Sequence, residues 1–177
     1  RIGAFREAFP ETPWIFVYRD PVQVMMSHLK EKGRGKAVCL RSMKMPDRDL
    51  KDLVRSRGGS MKSLTNEEFC AAHLATLCEA AIENSKLSPK LGRMVNYEGL
   101  LNNLVDDIIP HHFLKTDKLD SSAKQRIEEV SQRYSKGRGN AKEWEEDSQL
   151  KEDKAWPEIH VAAAKYLQPV FEKLKTR

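Results

Sequence analysis

The sequence predicts an α/β protein with a parallel sheet flanked by helices, and three observations carry that prediction. Trp14-Ile15-Phe16-Val17-Tyr18 is a short, unbroken apolar run rich in aromatic and β-branched residues, as in a strand buried on both faces. Arg93-Met94-Val95-Asn96-Tyr97 is a second strand-like run. Amphipathic stretches with recognisable caps lie between and after them, and this alternation of strand and helix marks the α/β class. The 177 residues are read as a single domain over 1–177, large enough to bury roughly two-thirds of the unfolded surface. With 40% apolar and 32% charged residues the composition is that of a folded chain rather than a disordered one. No apolar run approaches the ~20 residues that span a bilayer, and no signal-peptide pattern is visible.

The elements follow in order. Ile2, Phe5 and Phe9 recur at helical spacing, which predicts the end of an amphipathic helix. Pro10 and Pro13 bracket a turn into the first strand. Arg19-Asp20-Pro21 ends that strand. Asp20 is suited to cap a helix and Pro21 to open it, with Val22, Met25, Met26 and Leu29 on the apolar face. From 30 to 64 the periodicity dissolves among Gly33, Gly35, Pro46, Gly58 and Gly59. This predicts a basic loop or insertion with one short helix around Asp47–Arg55. Thr65 and Glu68 make a capping box for a helix that runs to about Asn84 and buries Phe69, Leu74, Leu77, Ala81 and Ile82. Ser88-Pro89 breaks it. A short helical stretch through Leu100, Leu101 and Leu104 follows the second strand. Ser122 and Gln125 suggest another capping box, with Ile127, Val130 and Tyr134 on one face of the helix and Gly137 and Gly139 ending it. Residues 142–154, with six acids and three bases, read as a solvated segment. Pro157 opens a last helix with Ile159, Ala163, Tyr166, Val170 and Leu174 inward, and Pro169 should kink it.

The net charge of +5 is unevenly placed, since residues 30–62 carry eleven Lys/Arg against four Asp/Glu. Such a surplus suits an anionic ligand or surface. The same stretch is almost without aromatics, so it offers no stacking platform, and a nucleic-acid partner is not expected. Cys39, Cys70 and Cys78 are too few for a disulfide framework. On one helix Cys70 and Cys78 would stand about 12 Å apart, too far to bridge. Reduced thiols in a reducing compartment are expected, which favours the cytoplasm. The five histidines show no metal-ligand spacing; His28 is read as a helix-surface residue, and His111 and His112 as loop residues.

Chemistry concentrates between Trp14 and Leu29. Ligands of open α/β sheets bind beyond the carboxyl ends of the strands. Arg19 stands at such an end, beside a helix N-terminus with free amides and a positive dipole end. Ser27 lies eight residues on, two turns into the helix. A guanidinium and a hydroxyl converging on one anion make a sensible phosphate site.

In these residues the sequence resembles the sulfotransferases that use 3′-phosphoadenosine 5′-phosphosulfate (PAPS). That family has a hydrophobic strand, then Arg, Asp or Asn, and Pro, with a Ser eight residues after the Arg, as Trp14 through Ser27 do here. The resemblance implies that Arg19 and Ser27 bind the 3′-phosphate of the donor. Asn96-Tyr97-Glu98-Gly99-Leu100 looks like the family's Tyr-Glu-Asp-Leu, with Gly99 in place of the Asp, which implies that Tyr97 helps surround the adenine. Tyr134-Ser135-Lys136-Gly137-Arg138-Gly139-Asn140 looks like the family's late Arg-Lys-Gly loop around the 3′-phosphate. Ser135 stands where the Arg would be, and Trp144 comes too late. Lys136 and Gly137 keep the pattern, and Arg138 is placed to supply the missing guanidinium.

The resemblance implies a P-loop nucleotide-binding fold and transfer of a sulfuryl group to a hydroxyl or amine of a small-molecule or glycan acceptor, without a metal. The family's Gly-rich loop, its Lys and its usual catalytic His precede the strand. Only eighteen residues precede Arg19, and they contain neither such a loop nor a His. The sequence is therefore read as the C-terminal part of such a domain, inactive alone, with its catalytic base unassigned. The other readings are a non-catalytic nucleotide- or anion-binding module and a basic interaction protein acting through residues 30–62.

Overall fold

The computed structural model describes residues 2–29, 37–131 and 148–176. It is mixed α/β and mostly helical, with a small parallel sheet of two strands among the described residues. The order is α1 (Ile2–Ala8), β1 (Trp14–Tyr18), α2 (Pro21–Leu29), a 3-10 turn (Val38–Leu40), α3 (Arg48–Ser56), α4 (Asn66–Leu87), β2 (Gly92–Asn96), α5 (Leu100–Asn103), a π-helical segment (Leu104–Leu114), α6 (Ser121–Ser131), α7 (Ser148–Asp153), α8 (Pro157–Ala162), a π-helical turn (Ala163–Leu167) and α9 (Gln168–Lys175).

β1 and β2 pair in parallel as expected, with Trp14 opposite Gly92 and Tyr18 opposite Asn96. A Cβ at Gly92 would collide with the Trp14 indole, so the glycine lets the ring lie over the start of β2. The expectation that β1 is buried on both faces fails. Phe16 and Tyr18 pack on the main core with Met94, whereas Val17, on the other face, is 41% exposed.

The core is built around α4, whose Phe69, Ala71, Ala72 and Ala75 are buried with Met25, Met26 and Leu29 of α2, Leu50, Leu53 and Val54 of α3, and Ile159, Tyr166, Val170 and Leu174 of the last helical stretch. Small residues on α4 let its neighbours approach closely. Leu77, expected inside, lies on the solvent side, as do Phe5 and Phe9 of α1. α1 buries no residue; Arg6 fastens it instead, donating to Asn84 Oδ1 at 2.9 Å and to Ser88 Oγ.

The capping box at Thr65 forms: Glu68 N donates to Thr65 Oγ1 at 3.1 Å and Thr65 N to Glu68 Oε2 at 3.2 Å. The one expected at Ser122 does not. Asp120 caps α6 instead, accepting from Ala123 N at 2.8 Å, and Ser122 Oγ donates to the same carboxylate. α6 buries none of its residues, so its expected apolar face is not part of the core.

The expected short helix after Pro46 is α3, capped by Asp47, which accepts from Leu50 N at 2.9 Å. The cysteine reading needs correction: Cys39 and Cys70 form a disulfide, with Cα atoms 5.0 Å apart. Helical spacing does not reveal this pair, because Cys39 lies in a stretch without periodicity. Two of the three supposed thiols are thus bonded, and cysteine usage no longer favours the cytoplasm. The thiol of the third, Cys78, is pushed up to about 12, first by burial and then by the neighbouring Glu79 charge.

His111 and His112 also differ from expectation, since they lie in the π-helical segment rather than a loop. His112 is buried and its Nε2 donates to the Trp14 carbonyl at 3.2 Å. No described helix is long and apolar enough to cross a membrane.

Candidate functional site

Parallel pairing in this register sets Arg19 and Tyr97 side by side, each the first residue beyond its strand. Tyr97 N donates to the Tyr18 carbonyl at 2.8 Å, extending the ladder to the edge. There the Arg19 guanidinium lies over the Tyr97 ring, 4.5 Å from its centroid, in cation–π geometry. Two residues 78 positions apart in sequence are thus in direct contact at the carboxyl edge of the sheet.

The turn from β1 into α2 is fixed by Asp20, whose Oδ1 accepts from Val22 N at 2.9 Å and Gln23 N at 3.0 Å. Pro21 has no N–H to satisfy and is buried at the first helical position. The cap directs α2 so that residues 19, 23 and 27 fall on one stripe. The Gln23 side chain meets Arg19, whose Nε donates to its Oε1 at 2.6 Å, while Ser27 Oγ donates to the main-chain carbonyl of Gln23 at 3.0 Å. On the far side Arg19 Nη2 donates to Ser148 Oγ of α7 at 2.7 Å, where α7 packs against α2.

Of the expected site residues, Arg19 and Tyr97 are in direct contact, and Ser27 stands two turns along α2, bonded to the main chain of its own helix. Lys136, Gly137 and Arg138 lie outside the described residues. Gln23 and Ser148 were missed. Gln23 was accessible from spacing alone, four residues after Arg19 and four before Ser27. Ser148 was not, because it lies 129 residues away in a segment read as solvated.

The geometry supplies a fixed positive charge, a hydroxyl two turns along the same helix and an aromatic ring, at a strand end where a helix begins. This set can hold a phosphate and stack or edge a ring. Three histidines lie elsewhere. His112 is bonded at the opposite end of β1. His111 sits between the Asp107 carboxylate and the Asp117 carbonyl. His73 faces Ser42 Oγ, 3.3 Å from its Nδ1. Among the described residues no cluster has the makings of a metal site.

Compared with protein-family models, with curated proteins and with solved structures, the chain finds no match.

Proposed function

We propose that the carboxyl edge of β1 and β2 holds the 3′-phosphate and adenine of PAPS, and that the protein is a sulfotransferase on a P-loop type fold. One observation carries this reading: Arg19 lies over Tyr97 where the two parallel strands end, with Ser27 on the same stripe of α2. In this reading Arg19 and Ser27 take the phosphate, and Tyr97 meets the adenine with whatever part of its ring Arg19 leaves open. Gln23 and Ser148 hold the guanidinium in place before the ligand arrives, which reduces what ordering costs on binding.

In the reaction the sulfur–oxygen bond to the 5′-phosphate breaks and one to the acceptor oxygen or nitrogen forms. The acceptor's proton passes to a base, and adenosine 3′,5′-bisphosphate leaves. The described chain's part is to position the donor and neutralise the 3′-phosphate.

A second reading is a non-catalytic nucleotide- or anion-binding module, favoured by the placement of His73, His111 and His112 in other contacts. Titration calorimetry tests the site. Adenosine 3′,5′-bisphosphate should bind more tightly than AMP, and Arg19→Ala should cost roughly 2–4 kcal/mol of that binding. Equal affinity for the two nucleotides would overturn the assignment. An assay of PAPS turnover over a panel of acceptors separates enzyme from module.

A further inference from the structure

Residues 37–57 contain six Lys/Arg against three Asp, and the part of this stretch before α3 is a series of tight turns. Leu40 N donates to the Ala37 carbonyl, Arg41 N to Val38, Met43 N to Leu40 and Met45 N to Ser42. The Cys39–Cys70 disulfide anchors the turns to α4, and Ser42 Oγ meets His73 Nδ1 of that helix. Cys39 points into the core at 1% exposure. Outward stand Val38, Met43 and Met45, and Met45, at 86%, is the most exposed large apolar side chain among the described residues. Arg41 precedes the methionines and Lys44 lies between them, both exposed and neither in a salt bridge among the described residues. Next to them α3 buries Leu50, Leu53 and Val54 and turns Arg48, Lys51 and Arg55 to solvent.

A disulfide-anchored turn that presents apolar side chains to water, interleaved with exposed bases, is suited to one kind of surface. Its charges call for a dense array of anions, and its thioethers for an apolar layer just beneath. We propose that the 38–45 turn is a docking tip for an anionic lipid bilayer, with Arg41 and Lys44 among the headgroups and Met43 and Met45 at the acyl boundary. Lys51 of α3 adds positive charge near the membrane surface, whereas Arg48 is paired with Asp52 of its own helix. A soluble polyanion would use the same bases and gain nothing from the methionines, so the exposed apolar residues decide between the two. This inference is independent of the sulfotransferase reading.

The test is sedimentation of the protein with vesicles of phosphatidylcholine alone or with about 30 mol% phosphatidylserine, with heparin binding measured in parallel. Binding should require phosphatidylserine and weaken as salt is raised. The double variant Met43→Ser/Met45→Ser should lose about fivefold or more of its vesicle affinity while keeping its circular dichroism spectrum. Arg41→Glu/Lys44→Glu should bind neither vesicles nor heparin well. Absence of binding to the phosphatidylserine vesicles would overturn the proposal. So would a methionine variant that binds them as well as the parent, which would reassign the turn to soluble polyanions.

Discussion

Glu68 performs two tasks with its two oxygens. Oε2 accepts from Thr65 N in the capping box, and Oε1 accepts from Lys165 Nζ at 2.8 Å. The Lys165 hydrogen bond, then that of the Thr65 amide, holds the Glu68 carboxyl below its ordinary value of 4.5 against the opposing effect of burial. Lys165 is raised, chiefly by Glu68. A carboxylate whose pKa falls on folding contributes stability above its unfolded pKa, and loses that contribution as pH falls through the folded one. The lysine's share persists until pH rises through its own elevated pKa. Glu68→Gln should therefore destabilise by a constant amount across neutral pH, and the difference from the parent should shrink below about pH 4.5. Urea titrations at a series of pH values check this, and a difference that grew on acidification would contradict the sign. Residue chemistry of this kind was partly legible: the Thr65–Glu68 spacing gave the cap, but Lys165, 97 positions on, left no trace in the local pattern.

At the scale of elements, legibility follows how local the cause is. Asp20-Pro21 was readable as the start of α2 because cap and helix are adjacent in sequence. The inward positions of the last helix were readable because Ile159, Ala163, Tyr166, Val170 and Leu174 keep one helical phase. The two π-helical segments were not foreseen as such, yet both contain or adjoin a proline. Pro110 lies inside the first and Pro169 follows the second by two residues. A proline lacks the N–H for an ordinary helical bond, and its ring crowds the carbonyl four residues back; widening the turn relieves both. The kink expected at Pro169 thus takes the form of a widened turn ahead of it. The apolar face expected of α6 is only partly realised: Ile127 is half-buried and Val130 exposed. The best-formed local signal makes the plainest prediction: Thr65→Ala should cost about 1 kcal/mol, read as a lower urea midpoint with an unchanged slope.

For the whole molecule, the sheet defines the candidate site and α4 holds the parts around it. The α/β class and both strands were legible, but the register of their pairing was not, because the whole span 19–91 lies between them. The Cys39–Cys70 bridge lies within that span and closes a loop of 31 residues. By the entropy of such a loop it should contribute roughly 3–4 kcal/mol. Cys39→Ser should lose an amount of that order in chemical denaturation.

Because β1 and β2 meet only after α2, α3 and α4 have been threaded between them, Arg19 and Tyr97 become neighbours through a contact of high sequence separation. Contacts of this kind are slow to form, since chain entropy is lost before the pairing compensates it. An intact Cys39–Cys70 bridge shortens the effective tether between the strands. Oxidised protein should therefore refold faster than reduced protein, as read by stopped-flow tryptophan fluorescence with Trp144 and Trp156 replaced by Phe, so that Trp14 at the start of β1 is the reporter. Under the proposed function, nucleotide binding should return only with that slow phase, because the edge that would hold the nucleotide requires the long-range pairing of β1 with β2.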